Sequence, residues 1–160
     1  MAPAPIDIPP SLREQIYRHA RRCFPAECCG YLRGADAVDE IVECRNAHVD
    51  GEHPTAPERS DESAFVIAGA ELFAFVKSFE SPTPARIVYH SHTNGRAYFS
   101  QVDREVATVH ADARAMPSYP VQHLVIGLDR DRVREAAQFA WNAEAGDWIE
   151  VARWAHEDES

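Results

Sequence analysis

Residues 86–103 read RIVYHSHTNGRAYFSQVD and carry the most informative pattern of the chain. The stretch opens with β-branched and aromatic residues in a compact run, which is typical of a strand. Side chains two positions apart on a strand share a face, so His90 and His92 at the end of this strand can converge on one ion. Ser100 and Asp103 follow in the S-x-x-D spacing of a helix N-terminal cap. The stretch therefore predicts a strand, a loop and a helix that carry two histidines and a carboxylate.

These residue types favour a catalytic zinc site. Imidazole nitrogens bind Zn²⁺ at about 2.0–2.1 Å, and catalytic sites keep three protein ligands with a fourth position for water. His90 and His92 supply two ligands, and Asp103 in the first turn of the next helix is placed to supply the third. A histidine pair alone is more often a polar rim, and S-x-x-D can cap a helix without catalysis. The combination within one short window favours the metal site.

The rest of the chain predicts further helices and strands around one sheet. Ser11 and Glu14 have the spacing of a capping box, ahead of a helix over 11–23. A second helix is expected over 70–79, and a third after Ser100, ending before Pro117. The residues expected to face the core from these two helices are Leu72, Phe73, Val76, Phe79, Val102, Val106 and Val109. The predicted strands cover residues 28–32, 38–44, 64–67, 86–90, 121–128, 132–141 and 147–154. This pattern favours an α/β or α+β layer architecture.

Composition narrows the function classes. The chain has 160 residues, of which 45% are hydrophobic, which fits a single domain over 11–160 after a proline-rich tail over 1–10. The tail lacks the basic and apolar regions of a signal peptide, and no apolar run approaches the roughly 20 residues of a membrane span. A cytoplasmic protein that binds no membrane is therefore expected. The net charge of −10 and the single lysine, Lys77, disfavour nucleic-acid binding.

The cysteines do not form a recognisable metal or redox motif, because no C-x-x-C spacing occurs among them. They are Cys23, Cys28, Cys29 and Cys44. Without an export signal, reduced thiols are expected. A cysteine nucleophile with His90 or His92 as its base is a weaker hypothesis, because strand cysteines are usually buried small hydrophobes. A zinc-ligating histidine also cannot serve as a free base.

The same residues resemble the signature of the JAMM (JAB1/MPN/Mov34) metallopeptidases. That signature is H-x-H followed by S-x-x-D, with the serine eight residues beyond the second histidine, as Ser100 follows His92 here. The family's other mark is a glutamate close to a Cys-Gly turn, and the run ECCGYL that begins at Glu27 resembles it closely. The resemblance covers roughly residues 11–128 and is to the short prokaryotic members.

This resemblance implies a fold and a set of roles. The fold would be the MPN fold, a cytidine-deaminase-like α/β sandwich with a mixed, curved sheet flanked by helices. His90, His92 and Asp103 would hold one Zn²⁺ per chain, with water as the fourth ligand. Glu27 would take a proton from that water and pass it to the leaving amine. Ser100 would donate a hydrogen bond to the oxyanion.

The implied function is that of a zinc-dependent isopeptidase or peptidase. Its substrate would be a ubiquitin-like or sulfur-carrier protein with a Gly-Gly-type tail. Many family members have prolines where Thr93 and Phe99 stand here, which leaves the ligands intact and alters the loop beside them. Residues 46–62, with Tyr98 and Phe99, are candidates for the substrate groove.

Two alternatives share the motif. An MPN-type scaffold would bind partners without catalysis, but such members usually lack one or more of the site residues that this chain keeps. A phage or cell-wall peptidase is less favoured, because no wall-binding or second peptidase domain accompanies the motif. Among the other histidines, His110 could contact Asp103 from behind, although a purely structural role is favoured, and His123 is expected in the core or at its rim.

Overall fold

A computed structural model describes residues 3–47 and 66–155 of the chain. The strands are β1 (Cys29–Arg33), β2 (Glu40–Cys44), β3 (Ala85–His92), β4 (Thr108–Ala111), β5 (Arg114–Pro117), β6 (Gln122–Asp129), β7 (Arg132–Asn142) and β8 (Asp147–Ala155). Six of them form a central sheet in the order β2-β1-β3-β6-β7-β8, and β4 and β5 form a separate two-stranded sheet. The helices are α1 (Pro10–Cys23), α2 (Gly69–Lys77), which continues into a 3₁₀ turn (Ser78–Glu80), and α3 (Gln101–Ala107).

The large sheet is mixed because β3 pairs with β1 in the antiparallel sense and with β6 in the parallel sense. Every residue of β3 except Arg86 is buried, so the strand is covered on both faces. On one face, Ile87 and Tyr89 belong to the same apolar cluster as residues of α1. On the other face, Val88 packs in a cluster with Phe75 of α2. The expected MPN-type α/β fold, with a mixed sheet flanked by helices, is confirmed.

Helix α1 begins earlier than predicted and without the predicted capping box. Pro10 is its first residue and Pro9 its N-cap, and no side chain caps the helix. A proline fits the first helical position because its missing N–H would have no partner there. Ser11 therefore lies inside the helix, and the predicted cap by Ser11 and Glu14 is wrong. Ahead of the helix, Ile8 is buried in the main core.

Helix α2 presents a different face to the core from the one predicted. It rests on Phe75, whose ring makes edge contacts with Tyr31, Phe79 and Tyr119 at centroid distances of 5.1, 5.2 and 5.0 Å. Three residues that were expected in the core are exposed instead: Leu72, Phe73 and Val76. The ring of Phe75, packed between three other rings, anchors α2. The spacing of the other apolar residues of α2 therefore does not identify its buried face.

The third predicted helix is too long. Helix α3 ends at Ala107, and β4 and β5 form a hairpin where the helix was expected to continue. Asp112 and Ala113 have φ angles of 53° and 63°, as in the tight two-residue turns that join twisted strands. Val106 and Val109 are exposed, so their spacing does not mark a buried helix face.

The predicted strands agree with the structure, except for the one predicted over residues 64–67. Residues 66 and 67 are not in a strand, and the remainder of the strand predicted over 64–67 lies outside the described residues. Of the candidate groove segment 46–62, only residues 46 and 47 lie within the described residues. The C-terminal hairpin of β7 and β8 is present and turns at Gly146, whose φ angle is 64°. Over residues 3–47 and 66–155, no helix has both the length and the apolar character needed to cross a membrane.

Candidate metal centre

The structure brings three ligand atoms together at the end of β3. The Nε2 atoms of His90 and His92 and the Oδ2 atom of Asp103 lie 3.2 Å from one another in all three pairings. All three residues are buried. An ion with tetrahedral bonds of about 2.0–2.1 Å separates its ligands by roughly 3.3 Å. The triangle therefore has the size that one zinc ion requires.

Local structure explains how the ligands meet. Because side chains alternate along a strand, His90 and His92 lie on one face of β3 and Ser91 on the other. Ser100 is the N-cap of α3, and its Oγ accepts a hydrogen bond from the Asp103 N–H at 3.0 Å. In return, Asp103 Oδ2 accepts from the Ser100 N–H at 3.0 Å. This reciprocal capping box turns the carboxylate toward the histidines.

The loop between His92 and α3 passes close to β6. The N–H of Gly95 donates to the Leu128 carbonyl at 2.7 Å. A Cβ atom added at Gly127 would lie 2.7 Å from the carbonyl carbon of Arg96, closer than real contacts allow. Glycine at position 127 thus lets the loop lie directly on the sheet. The loop conformation is set by backbone contacts rather than by the prolines common in the resembled signature.

The protonation states also suit a metal. Burial opposes ionisation of Asp103, but His90 and His92 hold the pKa of its carboxyl well below the usual range. Burial lowers the pKa of His92, against the opposing effects of Asp103 and of the Arg96 carbonyl. At neutral pH Asp103 is therefore an anion and His92 is neutral. Those are the forms that ligate a metal.

Glu27 stands just before β1 and faces the same cluster. Cys29 pairs with His90 across the sheet, and Cys28 is hydrogen-bonded to Ser91, so the register places Glu27 level with His92. The side chain is buried, and its Oε2 has no hydrogen-bond partner among the described residues. Burial, and secondarily the charge of Asp103, raise the pKa of Glu27 to about 10. An unsatisfied carboxyl oxygen beside three ligand atoms fits a site built for a cation and its water.

Two residues that hold Glu27 in place were not predicted. Ser91 Oγ accepts the Cys28 N–H at 2.8 Å, and the Ser91 N–H donates to the Cys28 carbonyl at 3.2 Å. Asn46 Nδ2 donates to the Glu27 carbonyl at 3.1 Å, while its Oδ1 accepts the Val66 N–H at 3.0 Å. Strand alternation could have shown that Ser91 faces away from His90 and His92. Asn46 carries no local signal of its role.

Replacing Ser91 by alanine is expected to lower the free energy of unfolding by about 1–3 kcal/mol, because the buried Cys28 N–H loses its acceptor. Urea denaturation of the metal-free protein measures this change. The matched control is Ser118→Ala, which removes an exposed hydrogen bond to the Val106 carbonyl and should change stability by less than about 0.5 kcal/mol. Equal effects of the two substitutions would contradict the role assigned to Ser91.

The cysteines are poor nucleophiles in this environment. Cys28, Cys29 and Cys44 are buried, and all four cysteines are free thiols. Burial raises the pKa of the Cys28 and Cys29 thiols well above the usual range, which disfavours the reactive thiolate. This opposes the cysteine-nucleophile hypothesis.

The two remaining aromatic candidates occupy different environments. Phe99 is buried and packs against His123, Phe139 and Trp148, so it belongs to the core and not to a substrate groove. Tyr98 is 43% exposed, and its ring meets the His92 ring edge-on at 4.7 Å. Only Tyr98 of this pair is placed to contact a substrate.

His110 and His123 are not among the grouped ligand atoms. His110 is exposed on β4 because α3 ends before it, so the less favoured alternative of a contact behind Asp103 is wrong. His123 is in the core, as expected, and its ring meets Trp148 edge-on at 4.9 Å. Burial, and secondarily His90, lower the pKa of His123 to about 3.

The metal-free protein is expected to lose stability on acidification from pH 7 to pH 5, partly through His123. Below pH 6.5 the unfolded chain binds a proton that the folded His123, with a pKa of about 3, does not bind. This linkage costs about 2 kcal/mol at pH 5. Urea denaturation in the presence of a chelator should show a shallower pH dependence for His123→Phe. Identical pH dependence in wild type and variant would contradict the expectation.

Comparisons with known proteins were consistent with this site. Residues 9–144 match the family described as prokaryotic homologues of the JAB domain. The chain is 32% identical over 90 residues to the CysO-cysteine peptidases of Mycobacterium tuberculosis and Mycobacterium bovis, covering 56% of this chain and 57% of those proteins. It thus spans little more than half the length of these relatives.

Two solved structures share the fold. One is a solution structure of a protein from Desulfitobacterium hafniense, with a TM-score of 0.57, 21% identity, and coverage of 88% of this chain and 86% of that one. The other is from Salinibacter ruber, with a TM-score of 0.57, 19% identity, and coverage of 89% and 86%. Together with the family match over most of the sequence, they lead to one assignment. The chain belongs to the family of prokaryotic homologues of the JAB domain.

Proposed function

We propose that this chain is a zinc-dependent peptidase that cuts at the C-terminus of a ubiquitin-like sulfur-carrier protein with a Gly-Gly-type tail. The observation that supports it most is the buried triangle of His90 Nε2, His92 Nε2 and Asp103 Oδ2, with sides of 3.2 Å. The unpartnered Oε2 of Glu27 beside it adds to this support. The carrier-type substrate is proposed from the similarity to the CysO-cysteine peptidases.

In this proposal His90, His92 and Asp103 hold the ion. A bound Zn²⁺ would lower the pKa of a coordinated water toward about 7, polarise the scissile carbonyl and favour the ionised form of Glu27. Glu27 takes a proton from the attacking water and delivers it to the nitrogen of the leaving amine. The C–N bond breaks, a new C–O bond forms, and the products are a carboxylate and an amine.

Ser100 is proposed to stabilise the oxyanion that forms at the scissile carbonyl. Its Oγ already accepts the Asp103 N–H through one lone pair, which fixes the position of the oxygen. The hydroxyl hydrogen remains available as a donor, because a hydroxyl group both donates and accepts. A donor held in this way needs no reorganisation during the reaction. Helix capping and oxyanion binding are therefore compatible roles of one side chain.

The test is metal analysis of the purified chain, followed by incubation with a sulfur-carrier protein that ends in Gly-Gly-Cys. We expect about one zinc ion per chain and release of free cysteine, detected by mass spectrometry of the shortened carrier. Removal of zinc by a chelator should stop the release, and added zinc should restore it. A zinc-loaded chain that cleaves no carrier of this type would refute the proposal and favour the scaffold alternative.

A further inference from the structure

A surface cleft of about 340 Å³ opens along the loop that joins β3 to α3. It is lined by Arg96, Ala97, Tyr98, Glu135 and Arg153. Tyr98 joins the cleft to the site, because its ring also packs edge-on against the ring of His92 at 4.7 Å. The cleft and the candidate metal centre therefore share one wall, the ring of Tyr98.

One wall of the cleft is held by a network of charged groups. Arg153 contacts Glu135 at 2.8 Å and Glu150 at 2.9 Å, and it donates to the Ala97 carbonyl at 2.7 Å. Glu135 in turn accepts the Ala97 N–H at 2.8 Å. The charge of Arg153 is thus compensated by two carboxylates. This network fixes the backbone on the C-terminal side of Arg96.

Arg96 is the other cation of the cleft, and its charge is compensated less closely, because it helps to lower the pKa of Glu135 without pairing directly with that carboxylate. Its side chain is exposed, and its guanidinium group makes no hydrogen bond or ion pair within residues 3–47 and 66–155. Its backbone is anchored, because the Arg96 N–H donates to Asn94 Oδ1 at 3.1 Å and the Gly95 N–H donates to the Leu128 carbonyl at 2.7 Å. In a chain of net charge −10, this arginine offers an anion a partner at the edge of the metal centre.

Building on the proposed function, we propose that Arg96 binds the α-carboxylate of the amino acid that is released. When a single C-terminal residue is removed, its carboxyl carbon is two bonds from the scissile nitrogen, about 2.5 Å away. In this proposal the long side chain of Arg96, two residues before Tyr98, extends to that group and binds it through two parallel hydrogen bonds. A lysine side chain in an isopeptide bond places no carboxylate there. The cleft therefore selects one-residue C-terminal extensions over internal isopeptide bonds.

The experiment compares two versions of one sulfur-carrier protein that ends in Gly-Gly-Cys, with the last residue as a free acid or as an amide. We expect the zinc-loaded wild type to cleave the free acid with a kcat/KM at least about tenfold higher, since hydrogen bonds between ionised groups are worth that factor or more. Arg96→Ala should lower kcat/KM for the acid about tenfold and leave the amide unchanged. Arg96→Lys should recover part of the preference, because it keeps the charge and loses the paired geometry.

Arg114→Ala is the matched control, because Arg114 is an exposed arginine on β5 that does not line the cleft. It should leave the preference for the free acid intact. Calorimetric binding of both carriers to Glu27→Gln provides a second readout that does not depend on turnover. Equal cleavage of acid and amide by wild type, or equal losses on both in Arg96→Ala, would overturn the inference and leave the proposed function standing. Cleavage of neither carrier would refute the proposed function itself.

Discussion

Replacing Glu27 by glutamine is expected to lower kcat for carrier cleavage by about a thousandfold, because general acid–base catalysis contributes roughly 10²–10⁴. The amide keeps the size of the side chain but cannot take a proton from water. The hydrogen bond from Asn46 Nδ2 to the backbone carbonyl of residue 27 does not involve the side chain and is unaffected by the change. Steady-state kinetics on the zinc-loaded variant measures the loss.

Measurements of zinc content and stability distinguish a loss of catalysis in Glu27→Gln from a loss of structure. Since Glu27 is not among the three grouped ligand atoms, Glu27→Gln should retain about one zinc ion per chain. Its stability should not fall, because burial already raises the pKa of Glu27 to about 10 and keeps the metal-free carboxyl neutral at pH 7. A variant that keeps its zinc and cleaves at the wild-type rate would exclude Glu27 as the base.

Replacing Asp103 by asparagine is expected to weaken zinc binding by at least about a hundredfold, more than the loss of a residue that only supports a ligand. The substitution removes the negative charge that His90 and His92 now face at 3.2 Å. The amide oxygen can still accept the Ser100 N–H, so the cap of α3 should persist. Competition with a chromophoric chelator measures the affinity, and circular dichroism checks the fold.

Asp147→Asn is the matched control for this prediction. Asp147 is an exposed carboxylate that pairs with Arg104 of α3 at 2.7 Å. Its replacement changes the net charge by the same amount and should leave zinc affinity unchanged. If Asp103→Asn bound zinc as tightly as Asp147→Asn, the assignment of Asp103 as a ligand would be wrong.

Local spacing explains which parts of the site could be predicted. The alternation of a strand brings His90 and His92 to one face, and the S-x-x-D spacing forms a capping box that turns Asp103 toward them. Both effects act within a few residues of chain, so they can be inferred without knowledge of the fold. Glu27 is distant in sequence, and only the resemblance to a known signature pointed to it.

The parts that could not be predicted depend on contacts between distant segments. Asn46 donates a hydrogen bond to the carbonyl of Glu27, which lies between α1 and β1. No sequence pattern near Asn46 predicts this contact. The buried side of α2 is set by the pocket of rings that receives Phe75. The hairpin after α3 depends on the left-handed turn at Asp112 and Ala113, two residues that do not favour such a turn as glycine does.

The position of β3 in the sheet has a kinetic consequence. Strands β6, β7 and β8 are joined by short turns, and contacts that are local in sequence form quickly during folding. Strand β3 must instead find β1 far upstream and β6 beyond α3 and the β4–β5 hairpin. We expect the C-terminal three strands to form early and β3 to join them late. The ligand atoms would then come together only in the last stage of folding, so that zinc would bind the assembled sheet rather than guide its formation.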